Sequence, residues 1–376
     1  MEAERLGLFC RRYGLGRGSC ERLVGSLAGL NVLVVGDVLM DKYVLCDATE
    51  LASEAAMMSL SRQEERLYVG GAGVVARHTA GLGAKTWLLS AAARDEATVA
   101  ARGVFESEGV AAHLLAVRPR LPEKTRFLVD TSKLFRVEDA PAHPLDSLAE
   151  RAAAAWVGEI ADRLDAVIYC DFGCGTVTRG LISRLSAVLA TRKLITAADA
   201  SGARGRLLEF VGADLLCPTE RSLRACLHDF DRGLSSVAWT ALDASRARQM
   251  LVTLGKKGLV AFERQSRDEK SPEWRGRLRS EYLPAMAEQV VDVLGGGDAL
   301  LATATLALAA GGSLMQAAYL GSAAAAVEVA RLGNIPIDAA ALRRWLSGRI
   351  ELGDDAPAHP PADIRKLGGM RQSANV

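Results

Sequence analysis

Asp292-Val293-Leu294-Gly295-Gly296-Gly297-Asp298 runs without a break into Ala299-Leu300-Leu301-Ala302-Thr303-Ala304. Three consecutive glycines pass into a strong helix former, which reads as a tight turn feeding a core helix. Glycine lets the backbone N–H groups of such a turn converge on one point, and the helix N-terminus adds about half a positive charge there. The pattern describes an anion hole with Asp298 beside it in the first helical turn. A carboxylate in that place can take a proton from an attacking hydroxyl. It can also simply cap the helix, and the motif alone leaves both readings open.

Outward from this turn, short apolar runs end in polar residues. Val32-Leu33-Val34-Val35 ends in Gly36-Asp37, and Ala166-Val167-Ile168-Tyr169 ends in Cys170-Asp171. Leu194-Ile195-Thr196 leads to Asp199, Ala213-Asp214-Leu215-Leu216 to Cys217-Pro218, and Met250-Leu251-Val252-Thr253 to Gly255. Runs apolar on both faces belong inside a parallel sheet. Helical patterns lie between them, at 148–164, 178–190 and 222–229. The alternation predicts an α/β fold, a doubly wound and mostly parallel sheet with helices on both faces. Ligands in such sheets sit beyond the carboxyl ends of the strands. Residues 42–69 and 121–138 break the rhythm with short alternating segments, which predicts a small antiparallel β-sheet lid over the crevice.

The 376 residues, 49% hydrophobic with net charge +1, suit a globular protein with no global pull toward nucleic acid or membrane. The longest late apolar stretch, 299–310, is too short for a membrane span. Seven cysteines, an odd number without Cys-x-x-Cys spacing, read as reduced thiols, which predicts a cytoplasmic protein. Glu2, Glu4 and Arg5 precede any apolar run, so no secretory signal is expected. The expected organisation is a helical extension over 1–30, a main domain over 31–348 and a structureless tail over 349–376 rich in proline.

The glycine run resembles the second signature of the ribokinase/PfkB carbohydrate kinase family, Asp-Thr-x-Gly-Ala-Gly-Asp, with Val293 for Thr and Gly296 for Ala. Gly70-Gly71-Ala72-Gly73-Val74 is similar to the family's first signature. Gly36-Asp37-Val38-Leu39-Met40-Asp41-Lys42-Tyr43, with Glu54, Lys124-Thr125-Arg126 and Leu134-Phe135-Arg136, looks most like its heptose-7-phosphate kinase branch. The resemblance implies a ribokinase-like kinase using ATP and Mg2+ on a sugar or sugar phosphate. It makes Asp298 the catalytic base and Gly295, Gly296 and Gly297 the anion hole. Asp41, Gly70, Gly71, Arg136 and Asp171 would serve the acceptor, Arg136 by meeting a phosphate on it. Thr253, Gly255, Gly258 and Asp199 would serve the nucleotide, and Glu220 the metal. Arg136 paired with a carboxylate, and Asp171 or Asp199 in a cap or salt bridge, are the plainer alternatives. The family also implies a homodimer through the lid strands.

Three positions depart from the family pattern. Val74 stands where an Asn bonds the sugar. Thr219 and Ser222 stand where an Asn-x-x-Glu element arranges magnesium, with Glu220 as the shifted substitute. These changes keep a second reading open, a non-catalytic sugar- or nucleotide-binding relative. A kinase for a nucleoside or another small alcohol is a third. A dinucleotide-binding oxidoreductase is set aside, because Gly36-Asp37-Val38-Leu39 lacks the remaining fingerprint glycines and places a carboxylate where pyrophosphate would lie.

Overall fold

The computed structural model describes residues 2–51, 58–130, 132–201, 205–264 and 278–353. Most of the expected tail, and Glu54, lie outside the described residues. The strands are β1 (Asn31–Gly36), β2 (Val38–Leu51), β3 (Met58–Gly71), β4 (Lys85–Ala92), β5 (Ala111–Ala116), β6 (Glu123–Val129) and β7 (Ser132–Asp139). They continue as β8 (Ala166–Asp171), β9 (Ile195–Ala200), β10 (Leu215–Leu216), β11 (Gln249–Thr253), β12 (Leu259–Arg264) and β13 (Leu278–Leu283).

Nine of them form one sheet in the order β13-β12-β11-β10-β9-β8-β1-β4-β5. Every pairing from β11 through β5 is parallel, and β12 and β13 add on antiparallel. The continuous apolar run of β1 divides by the period of two of a strand. Val32 and Val34 join the core under helices Ala72–Gly81, Gly296–Ala309 and Leu314–Val329. Leu33 and Val35 join the core under helices Ser147–Ile160, Arg179–Leu189 and Leu234–Ser245. All four valine and leucine side chains are fully buried, which is why the run carries no polar residue.

Helices Glu2–Arg12 and Arg17–Gly25 pack on the first core through Leu6, Phe9, Cys10, Cys20 and Val24. All seven cysteines are free. Among the described residues no helix is long and apolar enough to cross a membrane.

The remaining strands form a second sheet, β3-β2-β6-β7. Its central pairing, β2 with β6, is parallel, where the alternation suggested antiparallel strands throughout. The reason is topological. β2 continues from β1 and β6 follows β5, and β1 and β5 run the same way in the main sheet.

Candidate active site

Strand order reverses at β1. The chain proceeds outward to β4 and β5 on one side and to β8 and beyond on the other. The crevice beyond β1 and β8 is therefore the place where a ligand meets the fewest crossing connections. Gly36 lies so close to β8 that a Cβ there would meet the Cys170 carbonyl at 2.3 Å.

Asp37, fully buried, organises this edge. Its carboxylate accepts from the backbone N–H groups of Phe172, Cys174 and Thr176 at 3.2, 3.0 and 2.8 Å. It also accepts from Arg118 Nη2 at 2.8 Å, whose side chain is as buried as its own. Asp171, at the end of β8, accepts from the N–H groups of Gly173 and Arg206 at 2.9 and 3.0 Å. Burial raises its pKa to about 6 despite those bonds. Both oxygens of the expected acceptor ligand are thus engaged in holding loops.

The glycine turn lies across the crevice, on the helix Gly296–Ala309 that packs over β8 and β9. Gly295 adopts φ +81°, and a Cβ there would meet Glu328 Oε1 at 2.8 Å, so both conformation and space require glycine. A Cβ on Gly296 would meet Val329 at 2.8 Å, whereas one on Gly297 would meet nothing within 4 Å. The turn is packed from behind and open in front. No side chain caps this helix, so its first N–H groups face the opening without a side-chain acceptor.

Asp298 stands in that first turn, partly open to solvent, and accepts no hydrogen bond from the described residues. Desolvation holds its pKa well above the usual carboxylate range, and Asp199, Asp41 and Glu328 push the same way. The Lys124 ammonium pulls the other way. Asp199 itself is raised to about 6, mainly by burial, and its Oδ1 is buried with no partner.

The lid joins this site through two carboxylates. Asp41 on β2 is ion-paired with Arg126 of β6 and accepts from Asn334 Nδ2 at 2.6 Å. Gly70 is required beside it, since a Cβ would fall 2.1 Å from Asp41 Oδ2. Gly71, at φ +62°, comes as close to the Asp37 carbonyl. Asp292 accepts from Tyr43 Oη at 2.6 Å and pairs with Lys133 of β7, so lid strands β2 and β7 both hold the start of the glycine turn. It also accepts from the Leu294 N–H at 2.9 Å.

Several expected residues lie apart from this cluster. Arg136 is paired across the lid with Arg126, yet it sits on the edge strand, more than half exposed, and binds Glu138 at 2.7 Å. Glu220 binds Arg224 at 2.9 Å along its own helix, Glu220–Leu227. Thr219 caps that helix, accepting from the Ser222 N–H at 3.0 Å, so the altered pair does capping work. Among the described residues no cluster of three His, Cys, Asp or Glu side chains could hold a metal. Thr253 ends β11 beside Thr219. Gly255 and Gly258 shape the following turn, both at positive φ. A cavity of about 710 Å3 lies at the opposite, amino edge of β8 and β9, against Asp165, Thr196 and Asp214, away from all of these groups.

Sequence reasoning did not single out Asn334, Glu328, Arg118 or Lys133. Asn334 and Glu328 come from the far end of the helix Leu314–Val329 and the loop after it, and no local pattern marks them. Arg118 could have been suspected only once Asp37 was known to be buried.

The family described as pfkB family carbohydrate kinase matches residues 30–340. The bifunctional protein HldE of Caulobacter vibrioides is 31% identical over 359 residues, covering 92% of this chain and 71% of the relative. The HldE of Pelobacter propionicus is 28% identical over 324 residues, 85% of this chain, and the chain spans only 63% of that relative's length. Phosphofructokinase-2 from Escherichia coli, in complex with substrates and products, superposes with a TM-score of 0.69 at 16% identity over 85% of this chain and 99% of its own. Arabidopsis thaliana ribokinase complexed with ribose and ATP gives 0.64 at 17% identity, with the same coverage. At such identities these structures establish a ribokinase-like α/β fold.

Proposed function

Since the chain belongs to the pfkB family of carbohydrate kinases, we propose that it transfers the terminal phosphoryl group of ATP to a hydroxyl of a sugar or sugar phosphate, with Asp298 as the general base. The observation that carries this reading is the unpartnered Asp298 carboxylate at the uncapped start of a helix, behind a glycine turn open only in front. The free N–H groups there stabilise charge on the transferring group, and the carboxylate takes the proton of the attacking hydroxyl. A raised pKa makes Asp298 a stronger base once ionised, so it suits an alcohol better than an ordinary carboxylate would. Asp41 is held by Arg126 and Asn334 in one orientation, from which it can accept from acceptor hydroxyls. A heptose phosphate is the acceptor favoured by the resemblance of residues 36–43.

Magnesium would enter with the nucleotide, because Mg2+ usually binds through one or two carboxylates plus substrate phosphates. Asp199, with its buried and unpartnered Oδ1, fits that single-carboxylate role better than Glu220, which Arg224 holds. The metal would neutralise charge on the phosphates. Seven free thiols suit a reducing, cytoplasmic compartment.

The outward lid face carries Val44, Cys46, Leu60, Phe127 and Phe135 around a groove of about 390 Å3. Phe135 and Val137 are about half exposed there, which supports a homodimer through this face. Sedimentation at micromolar concentration tests it, and a single monomer species would refute it.

The kinase reading is tested by ATP-dependent turnover on a panel of sugars and sugar phosphates, comparing wild type with Asp298→Asn. Loss of turnover in the variant with ATP binding retained is expected. Equal inertness of both proteins with retained ligand binding would favour a binding-only relative, the reading motivated by the departures at Val74, Thr219 and Ser222.

A further inference from the structure

We propose that Glu328 carries a proton and, as a positioning residue, fixes through Asn334 the Asp41 carboxylate that receives the acceptor. This rests on the kinase reading above and adds to it the group that orients the acceptor's partner. A Cβ on Gly295 would meet Glu328 Oε1 at 2.8 Å and Asn334 Oδ1 at 3.2 Å, so the two oxygens converge on one space behind the glycine turn. Both are buried without a hydrogen-bond partner among the described residues. Turning the Asn334 amide does not relieve this. Its Nδ2 donates to Asp41 Oδ2 at 2.6 Å, and a carboxylate ion-paired with Arg126 can only accept. Arg77 Nη1 holds the Asn334 backbone by donating to its carbonyl at 3.1 Å. Two acceptor oxygens thus face the same space with no hydrogen between them. One proton on Glu328 satisfies both. Glu328 then donates to Asn334 Oδ1, Asn334 Nδ2 donates to Asp41 Oδ2, and Arg126 holds Asp41 Oδ1.

The surroundings of Glu328 favour the neutral form. Its side chain is fully buried. Arg331 Nη2 lies 3.8 Å from Oε2, beyond hydrogen-bond reach. The nearby Ile335 N–H is donated to the Gly333 carbonyl at 2.9 Å. Arg77, on the helix Ala72–Gly81, is taken by Glu108 at 2.7 Å. His78 on the same helix brings no charge, since burial takes its pKa down to about 3. Asp292 and Asp298 of the glycine turn repel a second negative charge. Burial raises the Glu328 pKa to about 7, with Asp292 adding to it and Arg331 and Arg77 opposing. An ionised Glu328 would set two acceptors against each other, push the Asn334 amide away and free Asp41 Oδ2. While the proton stays, Asp41 has one orientation, fixed from behind the anion hole.

Infrared difference spectroscopy of the full chain, wild type against Glu328→Gln at pH 6, reads the proton without turnover. A protonated-carboxyl carbonyl band that the variant lacks is expected, and its absence overturns the proposal. In an Asn334→Ala background the same band should move to higher frequency, because the bond to Oδ1 is gone, and an unmoved band overturns the relay. Neither measurement needs a substrate, so both stand apart from the kinase reading, which Asp298→Asn tests. Steady-state kinetics with ATP and Mg2+ then reads the effect on the acceptor. Glu328→Leu, which has no donor, should raise acceptor KM at pH 6 about 2- to 10-fold, the loss of one hydrogen bond. Glu328→Gln, whose amide donates at any pH, should restore it. From pH 6 to pH 8.5 the ratio of acceptor KM in wild type to that in Glu328→Gln should rise by the same factor, as Glu328 gives up its proton. A flat ratio, or a Glu328→Gln variant as impaired as Glu328→Leu, would mean that the carboxylate works ionised beside Arg331 and overturns the proposal. If Glu328→Leu does not fold, the infrared bands and the Glu328→Gln ratio decide.

Discussion

Two aspartates stand at the same edge of the sheet in opposite surroundings. Asp37 is fully buried, and its carboxylate receives three backbone N–H groups and a buried guanidinium. Asp298, across the crevice, receives no hydrogen bond from the described residues, and its carboxylate neighbours repel it. A satisfied carboxylate stabilises the fold, since each donor lowers the free energy of its charge. An unsatisfied one costs stability and persists where a ligand supplies what the fold withholds. The two halves of the crevice therefore divide the work. The end of β1 holds the loops, and the glycine turn leaves its carboxylate and helix N–H groups open for the chemistry proposed above.

The largest effect that would break this comparison is on turnover. Asp298→Asn should lower kcat by about a hundred- to ten-thousand-fold, the usual worth of a general base. The same change should leave the ligand-free protein no less stable, because Asp298 accepts no hydrogen bond from the described residues that the amide would lose. If thermal unfolding instead shows a loss of stability, Asp298 has a structural partner and the comparison fails.

Next in size is Asp37→Ala. It strands Arg118 and three backbone N–H groups, so urea unfolding should show a loss of about 3–5 kcal/mol. A cost below about 1 kcal/mol would make Asp37 an ordinary surface-like carboxylate.

The pH dependence is smaller and sharpens the same division. Asp199 and Asp171 are both raised to about 6, chiefly by burial. Each therefore adds stability that is fully present below its unfolded pKa and is lost as pH rises through about 6. The ligand-free protein should lose stability between about pH 4 and pH 7. Asp199→Asn should recover about 3 kcal/mol at pH 7.5 and almost nothing at pH 4, by chemical denaturation. Activity runs the other way. As the proposed general base Asp298 would act only when ionised, and its pKa is raised, so kcat/KM should climb with pH beyond the usual carboxylate range. The smallest expected effect is at Arg136. Arg136→Gln removes only an exposed ion pair with Glu138 and should change stability by less than about 0.5 kcal/mol.

The sequence by itself determined the doubly wound sheet, because its apolar runs are short, uninterrupted and separated by helical patterns. It also marked the glycine turn and its carboxylate, since three consecutive glycines running into a strong helix former are legible in the local sequence. Only the tertiary structure decided which charges are free. Asp41, Asp171, Glu220 and Arg136 look as available as Asp298 in the linear chain. The fold gives each of the four a partner, from Arg126 and Asn334, loop N–H groups, Arg224 and Glu138. Charge pairing depends on distances across strands and between elements far apart in the chain, and no local pattern encodes those distances.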